Sequence, residues 1–349
     1  MKLETLTYPA LLEGKDVKFY TFTNDNGASV TVSNLGAAIV SVCLPEKNGK
    51  VTDVVLGYKD PKSWLADGPC AGKVPGRFAN RIAKGKFTLD EKEYTLAINN
   101  GPNALHGGPT GFQNHVWDGH VLPDASGVEM TYHAKDGEEG YPGNLTVKAL
   151  YTWNDKCELT LRLTAETDAP TVVNLTNHAY FNLDGENSGT VLDHTLKLEA
   201  SRWLPTDSTQ IPTGELAPVK GTPMDFTEFK KIGRDINEEF EALKIGKGYD
   251  HCFVLDEGGK GKLVLAATLK GAKKGHTLEV YTTQPGLQVY TGNWLKGCPQ
   301  SKSGKEYDDY AGVALECQNF PDAPNKPEFP SSVLRPGETF DETIRFKFS

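Results

Sequence analysis

A period of two runs through most of this chain and constrains its fold more than any other feature. Cys157, Leu159, Leu161 and Leu163 alternate with Glu158, Thr160, Arg162 and Thr164, the pattern of a strand with one face buried. Phe87 and Leu89, then Tyr94, Leu96 and Ile98, repeat it around Asp90-Glu91-Lys92, which reads as the turn of a hairpin. Val40, Val42 and Leu44 do the same, as do Leu196, Leu198 and Ala200, and the chain closes on Ile344, Phe346 and Phe348. The 36 glycines and 21 prolines supply the frequent turns that many short strands need. Only one segment argues for a helix. Ile232, Ile236, Phe240 and Leu243 are spaced four, four and three apart, which predicts a helix between Glu228 and Lys244. Strand–helix alternation and glycine-rich nucleotide loops are both missing, which argues against a nucleotide-binding α/β sheet. The expected fold is a single large antiparallel β domain over residues 1–349, built as two packed sheets.

Charge narrows the partners. A formal charge of −9 and a pI near 5.5 argue against nucleic-acid and anionic-membrane surfaces, which need basic patches. No apolar run approaches the ~20 residues that span a bilayer, and Met1–Thr7 lacks the apolar stretch of a signal peptide. The six cysteines, at 43, 70, 157, 252, 298 and 317, form no CxxC pair. They read as reduced and mostly buried thiols of a cytoplasmic protein. With no apolar surface stripe evident, the expected state is a monomer.

Six segments could carry chemistry. The run from Asn174 to Leu183 holds three amides, a hydroxyl, a phenol and one imidazole, His178, and no other ionisable group apart from Tyr180. Each buried unpaired polar group costs about 1–3 kcal/mol, so this stretch suits a pocket wall for a neutral, hydroxyl-rich ligand better than a core strand. Gly76–Ile82 places Arg77, Asn80 and Arg81 where rigid guanidinium forks could clamp oxygens or simply pair with carboxylates. His106 is followed by two glycines that permit a tight turn. Asp250 enters a strand and could accept hydroxyls or cap a turn, while residues 282–293 are neutral and rich in amides, with Gln284 and Gln288. Glu316 follows the apolar trio Val313-Ala314-Leu315, a setting that raises a carboxyl pKa and suits a general base, or else an ion pair with Arg. Phe112, Trp117, Tyr180 and Tyr249 are candidate sugar-stacking aromatics. Metal-ligand spacing and a GxSxG nucleophile are both missing, whereas Glu316 and Asp250 leave a glycosidase-type carboxylate pair open.

In their order, these segments resemble the galactose mutarotase (aldose 1-epimerase) family from Gly27 to Phe348. The resemblance is carried by GRFANRIAKGKFTLD at 76–90, NALHGG at 103–108, GEEGYPG at 137–143 and NLTNHAYFNL at 174–183. It continues through PTGE at 212–215, GYDH at 248–251, TTQPGLQVYTGN at 282–293 and ALECQNFPDAPNKPEFPSSVLRPGE at 314–338. It implies an all-β, large antiparallel β-sandwich (a supersandwich) with few short helices and a sugar site on its concave face. It also implies Glu316 as general base and His178 as general acid, with Asn80, Arg81, His106, Tyr180, Asp250 and Gln288 around a free hexose. Gln284 ranks below Gln288. The implied activity is interconversion of α and β anomers without metal or organic cofactor. A non-catalytic sugar-binding protein and a hexose-6-phosphate epimerase are the alternatives on this scaffold. The latter would need further cations beside the sugar, with Arg77 the only nearby candidate. Phe78 and Lys73-Val74-Pro75 depart from the family pattern. A nearby carboxylate is expected to help keep His178 charged at neutral pH.

Overall fold

In the computed structural model, which describes residues Met1–Ser349, the period-two segments are strands of antiparallel sheets of nine, six and five strands, apart from the 86–95 hairpin, which is a two-stranded sheet of its own. The largest sheet has nine strands, and its centre is formed by Leu145–Trp153, Glu158–Thr167, Phe340–Phe348 and Thr277–Thr282. Register aligns the apolar positions into rows. Trp153 lies opposite Leu159, Leu159 opposite Phe346, Phe346 opposite Val280, and Val280 opposite Ala267. All five are buried, so one layer of the core runs unbroken across five strands. A five-stranded sheet made by the first 53 residues adds Phe22, Val30, Val32 and Val42 to the same core.

The six-stranded sheet positions the site. Its strands, in spatial order, are Tyr180–Phe181, Val313–Gln318, Gly286–Tyr290, Asp250–Val254, Arg202–Trp203 and Ala217–Pro218. Successive side chains on a strand point to opposite faces. Phe181, Val313, Leu315, Cys317, Leu287, Val289 and Phe253 therefore share the face that packs into the core, where Phe181 meets Phe346 at 5.2 Å between ring centroids. Two cross-strand rows occupy the other face. Tyr180, Ala314, Tyr290 and Asp250 form one, and Glu316, Gln288 and Cys252 the next. The β-sandwich that the resemblance implies is thus present, with the polar rows on one face of the six-stranded sheet.

The helix expected between Glu228 and Lys244 is only the six residues Glu241–Gly246. Lys230–Lys231 instead adds an edge strand to the nine-stranded sheet. Ile232 and Ile236 are buried, but as anchors of an irregular segment whose amides bond elsewhere: Ile232 N–H to the His194 carbonyl and Gly233 N–H to that of Leu192. Gly233 disfavours helix by about 1 kcal/mol relative to Ala. The buried Asp235, paired with Lys230 at 2.8 Å, replaces the helical ladder with side-chain ties. All six cysteines are free thiols, three of them buried and three half-buried. The hairpin Lys86–Leu89 and Lys92–Thr95 forms, but Ile98 lies beyond it and is exposed.

Leu161 sits fully buried between Tyr151 and Ile344, and its neighbour Arg162 faces solvent. Leu161→Ala should lower unfolding free energy by about 2–5 kcal/mol, whereas Arg162→Ala should cost under about 1 kcal/mol despite its pairing with Asp341. Urea midpoints of both variants check this. Comparable losses would mean that the assigned face is wrong.

Candidate active site

A cleft of ≈ 590 Å³ opens over the polar face of the six-stranded sheet, a volume ordinary for a small-molecule site. At its floor, Glu316 Oε1 lies 3.5 Å from His178 Nε2, and both side chains are almost wholly buried. They come from elements that sequence separates by 138 positions but the fold sets side by side: Tyr180 pairs with Ala314, and each partner lies two residues from Tyr180 or Ala314. The His178 backbone is fixed from the other side. Its N–H donates to the Lys73 carbonyl and its carbonyl accepts from Gly72, while Asn177 Nδ2 donates to the Gly72 carbonyl at 2.6 Å.

Burial controls the protons of this pair. It pushes the Glu316 carboxyl well above the usual carboxylate range, repulsion from Asp250 adds to the rise, and Arg81 opposes it. Burial pulls His178 down to about 4, against its own backbone hydrogen bond and the charges of Asp67 and Asp250. The expectation that a carboxylate keeps His178 charged is therefore reversed, because desolvation outweighs attraction. Between those limits the pair holds one proton, and it rests on Glu316. Moving that proton to His178 changes the tautomer but not the count.

His106 stands 5.3 Å from His178 between ring centroids, edge to face. Its Nδ1 accepts from the Asn80 N–H at 3.1 Å, and its backbone N–H donates to the Asn80 carbonyl. Burial, then His178 and Arg81, hold His106 well below its ordinary pKa, so the neutral ring carries its hydrogen on Nε2. The glycine after it is required. A Cβ at Gly107, where φ is +78°, would lie 1.9 Å from the Gly76 carbonyl oxygen. His106, His178 and Glu316 bring ligand atoms within 4.8 Å of one another, close enough to consider a metal ion. Accepting at Nδ1, however, makes His106 Nε2 a hydrogen donor, whereas a metal requires a lone pair.

On the far wall, Arg81 Nε donates to Asn100 Oδ1 at 2.9 Å, and Nη2 donates to Gln210 Oε1 at 2.7 Å and to Asp250 Oδ2 at 3.3 Å. Asp250 also accepts from Gln288 Nε2 at 2.7 Å and Gln210 Nε2 at 2.8 Å. Burial would raise its pKa, but Arg81, His251 and these amides hold it below the usual value. Gln288 therefore stands behind Asp250 and lines a small side pocket, with Oε1 free of any protein partner. Gln284 is buried away from the cleft, its amide near the Leu175 carbonyl. Tyr180 lines the cleft with its ring, and its hydroxyl is already bonded to the Pro69 carbonyl at 3.0 Å.

Several expectations need correction. Arg77 takes no part in the cleft. It is buried and donates to the Pro142 and Gly143 carbonyls and to Thr171. Phe112, Trp117 and Tyr249 are core residues, and the cleft aromatics besides Tyr180 are Tyr290 and the exposed Trp294. Asn100, Gln210 and Trp294 lie outside every candidate segment, because none stands out from its neighbours by type or spacing, and Tyr290 lies within the 282–293 segment without being singled out there. The departures from the family pattern are absorbed structurally. Phe78 is core, and Lys73 is buried against Asp67 at 3.2 Å and the Trp64 carbonyl at 2.7 Å.

With this geometry in view, comparison with known proteins is direct. A family model described as aldose 1-epimerase matches residues 18–347. Galactose mutarotase of Bos taurus is 47% identical over 320 residues, covering 92% of this chain and 91% of that protein. Aldose 1-epimerase of Escherichia coli strain K12 is 39% identical over 343 residues, 97% and 98% of the two chains. The crystal structure of galactose 1-epimerase from Lactobacillus acidophilus superposes with a TM-score of 0.87 at 31% identity, covering 100% of this chain and 99% of that one. The chain belongs to the aldose 1-epimerase family.

Proposed function

We propose that this protein is an aldose 1-epimerase that interconverts the α and β anomers of free hexoses such as galactose and glucose, with Glu316 and His178 as its acid–base pair. The observation that carries the residue assignment is the 3.5 Å approach of His178 Nε2 to Glu316 Oε1 at the floor of a polar cleft. With the proton on His178, the Glu316 carboxylate takes the hydrogen of the anomeric hydroxyl as His178 gives its own to the ring oxygen. The C1–O5 bond breaks and its electron pair goes to O5, while the O1–H electrons form the carbonyl. The open-chain aldehyde then sits beside neutral His178 and protonated Glu316, the arrangement that burial favours at rest. Rotation about C1–C2 turns the other carbonyl face toward O5. His178 then takes the O5 hydrogen as Glu316 returns one to O1, closing the opposite anomer. Ring opening and closure are each driven by paired proton transfers, so the route as written calls on no metal or organic cofactor.

The remaining groups suit an uncharged ligand. His106 Nε2–H, Asn80, Arg81 and Asp250 offer donors and acceptors to hydroxyls, and the rings of Tyr180 and Tyr290 flank them. A phosphosugar would want several converging cations. Arg77 points elsewhere, and the cleft offers only Lys296 besides the already bonded Arg81. A silent binding protein would have no use for two buried proton-transfer groups in contact. We further read residues 1–349 as one domain acting as a cytoplasmic monomer with no nucleic-acid or membrane partner. The net charge of −9 and six free thiols support that reading.

Polarimetry of fresh α-D-galactose should show fast mutarotation by wild type. Glu316→Gln and His178→Asn should each lose at least about 100-fold in kcat while keeping the wild-type circular dichroism spectrum. Wild-type rotation decaying at the buffer rate would sink the reading. The pH profile of kcat/KM should be bell-shaped with a broad top. Its acid limb belongs to the second proton entering the pair at His178, so activity should rise with pH through the region of about 4. It should fall again at higher pH, as the single shared proton leaves the raised Glu316 carboxyl. An acid limb at the ordinary imidazole value of ~6.5 would show that burial does not set these protons.

A further inference from the structure

The wall opposite the acid–base pair contains a side chain that no motif singled out. Gln210 lies in the cleft between a cation and an anion, and both ends of its amide are used: Oε1 accepts from Arg81 Nη2 at 2.7 Å and Nε2 donates to Asp250 Oδ2 at 2.8 Å. The direct Arg81–Asp250 contact is long, at 3.3 Å. Gln210 therefore acts as a neutral spacer in an ion pair that would otherwise close on itself. Building on the epimerase reading, we propose that Gln210 is a positioning residue for sugar binding, holding Arg81 and Asp250 apart so that each keeps one free hydrogen-bonding site for the substrate's hydroxyls.

The inventory of bonds supports this. Asn100 and Gln210 occupy Nε and Nη2 of Arg81, leaving Nη1 without a protein partner as a donor toward the cleft. A carboxylate has about four lone-pair positions, and Gln288, Gln210 and Arg81 fill three on Asp250. One acceptor site remains. A donor and an acceptor side by side match the hydroxyls of a sugar, each of which both gives and takes a hydrogen bond. If Gln210 were lost, Arg81 and Asp250 would turn their free positions on each other and close into a bidentate pair.

The loop that carries Gln210 is built to present it. Asp207 Oδ1 accepts from Thr209 N–H, Thr209 Oγ1–H and Ile211 N–H, and the buried Asn103 donates to the Thr209 carbonyl at 3.1 Å. These bonds hold Gln210 at φ +63°, a backbone conformation uncommon for a residue with a Cβ. Bridging both partners takes a neutral group with an acceptor and a donor, an amide or a carboxyl that keeps its proton. Glutamate would keep the acceptor for Arg81 but face Asp250 with a second negative charge, and methionine would keep the bulk and lose both bonds.

The test is the kinetics of galactose mutarotation by wild type, Gln210→Met and Gln210→Glu. Melting temperature and circular dichroism of each variant report on folding. Gln210→Met should raise KM roughly tenfold, as expected for losing bonds to two charged groups, with kcat within about threefold. Gln210→Glu should raise KM more at pH 8, and the excess should shrink by pH 5.5. The introduced carboxyl lies between Asp250, which lifts its pKa, and Arg81, which lowers it, and the fraction protonated at the lower pH can donate again. A merely structural role would not produce that pH dependence. Wild-type KM in both variants, or a KM excess in Gln210→Glu that is independent of pH, would overturn the proposal. Should wild type fail to mutarotate, the epimerase reading falls instead. Calorimetric titration with galactose then still decides whether Gln210→Met weakens sugar binding.

Discussion

The register of the six-stranded sheet is the constraint on which the rest depends. Glu316 lies between Leu315 and Cys317, which face the core, and opposite Gln288, whose neighbours Leu287 and Val289 face it too. A slip of one residue in any of these pairings would drive a carboxyl and an amide into the apolar layer and expose the aliphatic side chains. Each such core side chain is worth about 1.5–3 kcal/mol when buried, so the hydrophobic side enforces the register strongly. The polar side need contribute nothing to that choice. It inherits positions fixed from behind, and this is how Glu316 can sit 2% exposed beside a histidine without the fold rearranging to wet it.

That burial also decides the chemistry. An isolated buried carboxylate is costly, and the fold tolerates Glu316 by letting it keep a proton. The same low polarity strips His178 of its charge. Because burial disfavours both charges together, the pair favours the neutral arrangement with its proton on Glu316, and the ion pair that opens the ring is the higher state.

Much of this was legible in the sequence, for a physical reason. Alternation of apolar and polar residues is a direct record of a half-buried strand, so the segments ending in Leu163 and Phe348 could be placed without coordinates. His178 stood out as the one imidazole in a neutral, amide-rich run, and Glu316 as a carboxyl placed directly after an apolar trio. What was not legible depends on contacts across the chain. Ile232, Ile236 and Phe240 match a helical spacing by coincidence, and only the bonds of Ile232 and Gly233 to the 192–194 segment show that the backbone is spoken for elsewhere. Gln210 lies 40 residues from Asp250 and 129 from Arg81, in a turn whose composition is that of any surface loop. The aromatic assignments failed similarly, since Trp117 and Trp294 differ in burial rather than in anything local.

Under the proposed roles, the cleft divides into a part that must hold and a part that must let go. Ring opening frees C1 to rotate, and the aldehyde would diffuse away if its other hydroxyls were not gripped meanwhile. A network with charges at its centre and amides at its edge suits the gripping side. Asn100, Gln210 and Gln288 fix Arg81 and Asp250 before any sugar arrives, so little ordering remains to be done on binding. The releasing side is made differently. Glu316 Oε2 and His178 Nδ1 have no protein partners, and the contact between the two groups is long for a hydrogen bond. Weak mutual bonding leaves both free to exchange protons with either anomer. An enzyme that runs its reaction equally in both directions needs that symmetry at the reacting carbon, and it needs rigidity everywhere else.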